Sequence, residues 1–248
     1  MDPDTELRRI ARTLGADYFG IADLSSAGDF IRAQGGARVA GYCRAVVMGI
    51  RLLDEIVDMV ADRNDRIGAS LYRHNSYDVV NQALDGMALR VANTLQRQGY
   101  RAFPVPASKR VSDEQIAGIF SQKLAAHLAG LGWIGKNCLL VTPDHGPRVR
   151  WVNVLTDAPL EPTSSPMEPR CGDCAACVDI CPVHAFTGRM FSPDEPREAR
   201  FDAAACDRYY KQLGKELGVD GVCGLCLWAC PRGKQSGKRS ARKEKREK

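Results

Sequence analysis

No run of about 18 apolar residues occurs in the 248-residue chain, so a membrane-spanning helix is not expected. The N-terminal stretch MDPDTELRRIARTLG is charged where a secretory signal needs an apolar core, which points to a soluble, cytoplasmic protein. There is no phosphate-binding G-x-x-x-x-G-K-S/T loop, no G-x-S-x-G nucleophile elbow and no H-E-x-x-H helix. Those absences argue against ATPases and hydrolases built on these motifs. Aromatic residues are few, at 7%, but 44% hydrophobic and 26% charged residues make a globular composition, not a disordered or collagen-like one. A chain of this length buries a core without covalent staples. Its ten cysteines therefore need another explanation, and in a reducing compartment clustered thiols bind metal more often than they form disulfides.

Positive charge is concentrated. The net charge is +5, yet Arg232 to Lys248 holds nine Lys or Arg against two Glu, so this segment carries +7 and the remainder −2. The tail RGKQSGKRSARKEKREK has one Ala as its apolar content and is expected to be disordered. Nucleic acid is a candidate partner only through this tail, because phosphate attraction needs dense positive charge. The alternative is a solvated end that aids solubility.

Residues 1–157 alternate helix and strand signals. Leu7, Ile10, Ala11 and Leu14 fall at helical spacing before Gly15, and DYFGIADL (17–24) and the VVMGI run within 42–53 read as strands. Val80, Leu84, Met87, Val91 and Leu95 form one stripe of a long helix, with Ser76 as N-cap and Gly99 as stop, followed by a strand at 100–105. Ser112 and Gln115 suggest a capping box for a second helix running through Ile116, Ile119, Leu124, Leu128 and Leu131. Segments 138–141 and 149–156, separated by TPDHGPR, suggest an antiparallel hairpin and thus a mixed sheet. The expected fold class is α+β. Its expected parts are an α/β cofactor- and substrate-binding domain at 1–157, a proline-rich linker at 158–170, a cysteine-rich domain at 171–231 and the basic tail at 232–248.

Cys171, Cys174, Cys177 and Cys181 with Pro182 spell C-x2-C-x2-C-x3-C-P, the run with which bacterial-type ferredoxins hold 4Fe-4S clusters. Cys206, Cys223, Cys226 and Cys230 with Pro231 form a second set. In the crossed pattern of two-cluster ferredoxins, the fourth cysteine of a run reaches the other cluster. Cluster I then takes Cys171, Cys174, Cys177 and Cys230, and cluster II takes Cys181, Cys206, Cys223 and Cys226. Paired zinc sites are the competing reading. Two close clusters carry single electrons and supply no substrate chemistry of their own, so the first 157 residues are expected to hold the purpose. Cys43 and Cys138 lie outside both sets and read as buried small hydrophobes.

LAGLGWIGKN (128–137), NVLTDAPLEP, CGDCAACVDICP, a lone cysteine and CGLCLWACP, taken together, resemble epoxyqueuosine reductases and their relatives, the corrinoid-dependent reductive dehalogenases. The resemblance is dense from about Leu128 to Pro231. It implies a nitroreductase-like N-terminal domain holding cobalamin and a ferredoxin-like domain with two 4Fe-4S clusters feeding it electrons, with flavin as a less favoured occupant. It places Gly132, Trp133, Gly135, Lys136 and Asn137 at or near the cofactor cavity. An external donor such as a ferredoxin or flavodoxin, and a small-molecule substrate or a corrinoid protein, are the implied partners. Ile116 stands where the family's proton-donating Asp is expected, which points to a substrate other than a queuosine precursor. The patch LYRHNSYD offers Tyr72, His74 and Tyr77 as proton donors or substrate-binding groups, with a capping and surface cluster as the alternative. His127 is a further candidate, or a hydrogen-bonded structural histidine. The implied activity is an iron–sulfur oxidoreductase, and its alternative is an electron-transfer or corrinoid-activating partner without substrate chemistry.

Overall fold

A computed structural model describes residues 3–235. The basic segment 236–248, and the disorder expected of it, lie outside the described residues. In chain order the elements are α1 (Pro3–Thr13), β1 (Tyr18–Asp23), α2 (Gly28–Gly35), β2 (Arg44–Arg51), α3 (Asp54–Asp58), α4 (Arg66–Arg73), α5 (Val80–Arg97) and β3 (Ala102–Val105). They continue with α6 (Gln122–Leu128), β4 (Trp133–Ile134), β5 (Leu140–Val141), β6 (Val149–Thr156), α7 (Ala176–Asp179), α8 (Ala203–Leu217) and α9 (Leu225–Trp228). The described chain forms two units. The first draws on residues up to 51, 74–131 and 150–168, and the second on 52–73, 132–149 and the residues from 169 onward.

The first unit is built on a four-stranded sheet of order β1-β2-β6-β3. β1 pairs with β2 antiparallel, Tyr18 opposite Gly49 and Asp23 opposite Arg44, and β3 pairs with β6 antiparallel, Ala102 opposite Thr156. Successive residues of β1, β2 and β6 are buried without alternation, as happens when both faces of a sheet are covered. α1 and α5 pack on each other and against strands, and α6 packs against β1 and β2. The five apolar residues of the α5 stripe are all buried, as their spacing predicts. Gly20 makes the approach of α6 possible, because a Cβ there would stand 3.0 Å from that of Ala129.

Three expectations about local structure are corrected. Ser76 does not cap α5, because the helix is already under way. α4 runs into a π-helical stretch, His74–Val79, and then into α5, leaving Ser76 buried in mid-helix. The Ser112–Gln115 signature does not open a helix either. The Ser112 hydroxyl accepts from the Gln115 N–H inside a tight loop closed by a bridge between Ser112 and Ala117, and Ile116 has φ +49°, which no right-handed helix contains. The true cap is Ser121, whose hydroxyl accepts from the Leu124 N–H to start α6. Finally, the segments 138–141 and 149–156 are not hairpin partners: β5 pairs with β4, Trp133 opposite Val141, while β6 joins the large sheet. The turn chemistry of TPDHG is satisfied locally, Thr142 bridging to Gly146.

In the second unit, Gly132 lets β4 lie close on β5; a Cβ there would be 2.4 Å from the Val141 carbonyl oxygen. Arg148 is 2% exposed, and its guanidinium donates to Asp54 at 2.9 Å and Asp58 at 2.6 Å, tying α3 to the turn that carries Arg148. Such a charge is tolerated in a buried position because it is paired and hydrogen-bonded. A small apolar cluster of Cys138, Cys181, Ala185 and Phe186 lies here, with Phe201 stacked on Phe186 at 5.0 Å between ring centroids. Cys138 is buried as expected. Cys43, in the first unit, is exposed, contrary to expectation, because it sits in the loop ahead of β2.

Candidate metal centre

The cysteine runs fold into turns and single-turn helices, which is what two-residue spacings between thiols require. In the first run the Cys174 N–H donates to the Cys171 carbonyl at 3.1 Å, and α7 then carries Cys177. The Cys181 sulfur accepts from the Ala185 N–H at 3.3 Å. In the second run Gly224, at φ +78°, supplies the left-handed residue that turns Cys223 into α9, which carries Cys226. α7 and α9 pack against each other, and α8 brings Cys206.

None of the eight thiols is in a disulfide. Burial pushes Cys177 up to about 11, and nearby Cys230, Cys171 and Cys174 add to it. Burial likewise pushes Cys206 up to about 11, followed by Cys223 and Cys181. Cys223, Cys226 and Cys230 are raised for the same first reason. The interactions divide accordingly. Cys230 feels Cys171 and Cys174, and Cys223 feels Cys181, while Cys226 feels Cys223 and Cys206 ahead of Cys177. Buried thiols that repel one another as thiolates form a donor set that bound iron cations would stabilise.

The LAGLGWIGKN segment lies partly in this unit, and its side chains reach the cysteine loops. The Lys136 ammonium donates to the carbonyls of Gly172 at 2.8 Å and Cys174 at 3.2 Å. The Asn137 amide donates to the Cys226 carbonyl at 3.2 Å. Trp133 is buried, with the guanidinium carbons of Arg170 and Arg232 at 5.8 and 5.9 Å from its ring centroid. Gly135 is held close by Val141, whose Cγ2 would lie 2.8 Å from an added Cβ.

Residues 170–233 match the family model of a 4Fe-4S double cluster binding domain. This double-cluster domain contains all eight thiols of the two sets. Over a longer stretch the chain is similar to curated epoxyqueuosine reductases. It is 30% identical over 129 residues to that of Bacillus anthracis, covering 47% of this chain and 30% of the relative. It is 28% identical over 204 residues to that of Pseudomonas aeruginosa, covering 81% and 51%. The chain thus spans about a third to a half of the length of these relatives. Among solved structures, an epoxyqueuosine reductase bound to a modified tRNA-Tyr stem loop aligns with a TM-score of 0.60 at 22% identity, covering 94% of this chain and 65% of that one. A reductive dehalogenase described as B12-dependent aligns at 0.62 and 21%, covering 93% and 32%. The fold is therefore the one shared by these proteins, a mixed α+β unit with a double-cluster domain.

The proton-donor candidates have separate surroundings. Tyr72 is buried in the second unit, its hydroxyl and ring 3.1 Å from where a Cβ on Gly224 would stand, beside Cys223. The other three are in the first unit. His74 is exposed, 3.5 Å from Asp78. Tyr77 is half-buried under the Arg150 guanidinium, 4.1 Å from its centroid, while Arg150 donates to Asn81 at 2.6 Å. His127 is buried on α6.

Sequence reasoning missed two features. One is that residues 52–73 belong with the cysteine loops, where Arg63 favours the Cys223 thiolate and Tyr72 packs; this stretch has no motif that could have announced it. The other is a cavity of about 220 Å³ in the first unit, lined by Lys109, Arg110, Ile116, Gly118, Phe120 and Gln122 among others. Its wall is the loop taken for a helix. Ligand pockets span roughly 300–1,000 Å³, so this space is small by that measure and does not hold a corrin ring.

Proposed function

We propose that the protein is an iron–sulfur oxidoreductase. Electrons from an external donor of the ferredoxin or flavodoxin class enter two 4Fe-4S clusters and are delivered to a cobalamin held by the first unit, for reduction of a small substrate. Cys171, Cys174, Cys177 and Cys230 hold cluster I; Cys181, Cys206, Cys223 and Cys226 hold cluster II. The observation that carries this reading is that residues 170–233, which contain all eight thiols of the two sets, match a 4Fe-4S double cluster binding domain. The likeness to epoxyqueuosine reductases and to a B12-dependent dehalogenase supports the rest.

Five buried polar atoms of the first unit lack a hydrogen-bond partner, as do three of the second, Trp133 Nε1, Arg148 Nε and Arg200 Nε. Those of the first unit are Asn75 Oδ1, Ser76 Oγ, Gln122 Oε1, Trp151 Nε1 and Asn153 Oδ1, and buried polar atoms are otherwise nearly always paired. Cobalamin, when bound, supplies a low-potential cobalt centre for the reduction. The chain's own part is to seat the substrate in the Ile116 cavity, with Lys109 and Arg110 on its wall, and to supply a proton, for which Tyr72, His74, Tyr77 and His127 are the candidates. Within the second unit, Lys136 and Asn137 link the segment from Gly132 to Asn137 to the cysteine loops.

Ile116 favours a second reading. An apolar side chain stands where the resemblance implies a proton-donating Asp, so the protein would serve as an electron-transfer or corrinoid-activating partner. Metal analysis and an absorption spectrum on protein produced anaerobically with cobalamin decide between them. About eight irons and one cobalt per chain bear out the reductase, about eight irons with neither cobalt nor flavin bears out the partner reading, and zinc in place of iron refutes both.

A further inference from the structure

We propose that Lys136 is a positioning residue that sets the reduction potential of cluster I, by fixing a positive charge inside the turn that carries Cys171 and Cys174. The inference rests on the cluster assignment proposed above and deepens it.

The turn from Gly135 to Leu139 is tight. The Gly135 N–H donates to the Leu139 carbonyl at 2.9 Å, the Cys138 N–H donates back to the Gly135 carbonyl at 2.9 Å, and Cys138 adopts φ +54°. This places Lys136 and Asn137, adjacent in sequence, on different cysteine loops. Lys136 donates to two carbonyls, of Gly172 at 2.8 Å and of Cys174 at 3.2 Å, so its ammonium is held in the first loop by two bonds. Asn137 donates to the Cys226 carbonyl of the second loop, but its amide is neutral. Of these two neighbours, Lys136 brings a fixed cation to the first loop, while Asn137 brings only a neutral hydrogen bond to the second, where Arg63 already favours the Cys223 thiolate.

A cluster that accepts one electron gains one negative charge. A fixed cation nearby favours that reduced state, and hydrogen bonding and net charge around the sulfurs are among the determinants of cluster potential. Asp173, in the same turn, is exposed, and its charge is more screened by solvent. Lys136 accordingly makes cluster I easier to reduce than it is without that charge, and the contribution disappears with the charge.

The test is a reductive titration of the iron-loaded full chain with dithionite, followed by electron paramagnetic resonance, with iron counted per chain. Lys136→Gln is expected to keep eight irons and to lower the reduced-to-oxidised ratio of one cluster about tenfold at a fixed solution potential, equivalent to about 59 mV, with the other cluster unmoved. Lys136→Arg, which keeps the charge, should retain both wild-type potentials. Lys136→Gln that loads iron with both potentials unchanged overturns the inference. If Lys136→Gln does not load, Lys136→Arg decides: loading with wild-type potentials supports the inference, and failure to load, or a shifted potential, overturns it. A wild-type chain with fewer than eight irons would refute the cluster assignment itself, a different failure from an unshifted variant.

Discussion

Gly132 offers a direct test of why a glycine-rich segment sits ahead of the cysteine runs. Such glycines admit two explanations, close approach of a ligand or close packing of the chain on itself, and the structure supplies a packing reason. A Cβ on residue 132 would lie 2.4 Å from the Val141 carbonyl oxygen and 3.0 Å from its carbon. Side-chain carbons are not found within 3.0 Å of such atoms, so β4 and β5 must separate by about 0.6 Å or the pair between Trp133 and Val141 must break. Overpacking of this kind costs about 1–3 kcal/mol. At about 2–4 °C per kcal/mol for a chain of this size, Gly132→Ala should lower the thermal midpoint by roughly 2–12 °C. Gly86→Ala is the control. Gly86 is exposed in α5 with nothing within 4 Å of an added Cβ, and alanine should raise stability there by up to about 1 kcal/mol. The assay is circular dichroism melting of anaerobic, iron-loaded protein with iron content checked before and after, repeated on iron-free protein. A Gly132→Ala midpoint within about 1 °C of the parent in both forms would show that the β4–β5 contact gives freely, and the packing explanation would fail.

Arg148→Met should destabilise by about 2–4 kcal/mol, below the upper range for breaking a buried pair because Asp54 and Asp58 are 32% and 54% exposed and rehydrate. Asp58→Asn should cost under about 1 kcal/mol in the same urea titration, and equal costs for the two variants would contradict the asymmetry in burial. In iron-free reduced protein Cys177 and Cys206 sit near 11 when folded, against 9.0 for an exposed thiol. Above pH 9 the unfolded chain releases protons that the folded one keeps, so stability is fully present below pH 9 and falls as pH rises toward 11. Urea midpoints at pH 7, 8.5 and 10 should decline, and iron loading should release protons and remove the decline; a flat profile in the iron-free protein would refute the burial of these thiols. Deleting 236–248 should abolish any salt-sensitive RNA affinity of the chain if that affinity comes from the basic tail, and retention of affinity would place it elsewhere.

Much of the chemistry was readable in one dimension because it is local. Cys171, Cys174, Cys177 and Cys181 are ligand-spaced by covalent geometry alone, and two-residue gaps followed by Pro182 leave little freedom for what they bind. The α5 stripe and the β1 and β2 strands were equally legible, since periodic apolar residues report which face is covered. What failed was local signal whose outcome depended on distant atoms. Ser112 and Gln115 make the hydrogen bond of a capping box, but Ile116 takes φ +49° and the chain closes a loop instead of starting a helix. Ser76 has the chemistry of a cap and lies inside a helix because α4 arrives from upstream.

The sequence by itself determined that the protein holds its cysteines in two runs suited to a double 4Fe-4S domain, and that an α+β unit precedes them. Spacing and periodicity are properties of neighbouring residues and need no fold to be read. Only the tertiary structure decided that Lys136 meets the carbonyls of Gly172 and Cys174, that Asn137 meets Cys226, and that residues 52–73 pack with the cysteine loops. Those contacts join segments tens of residues apart, and no periodicity along the chain encodes which carbonyl a lysine will find.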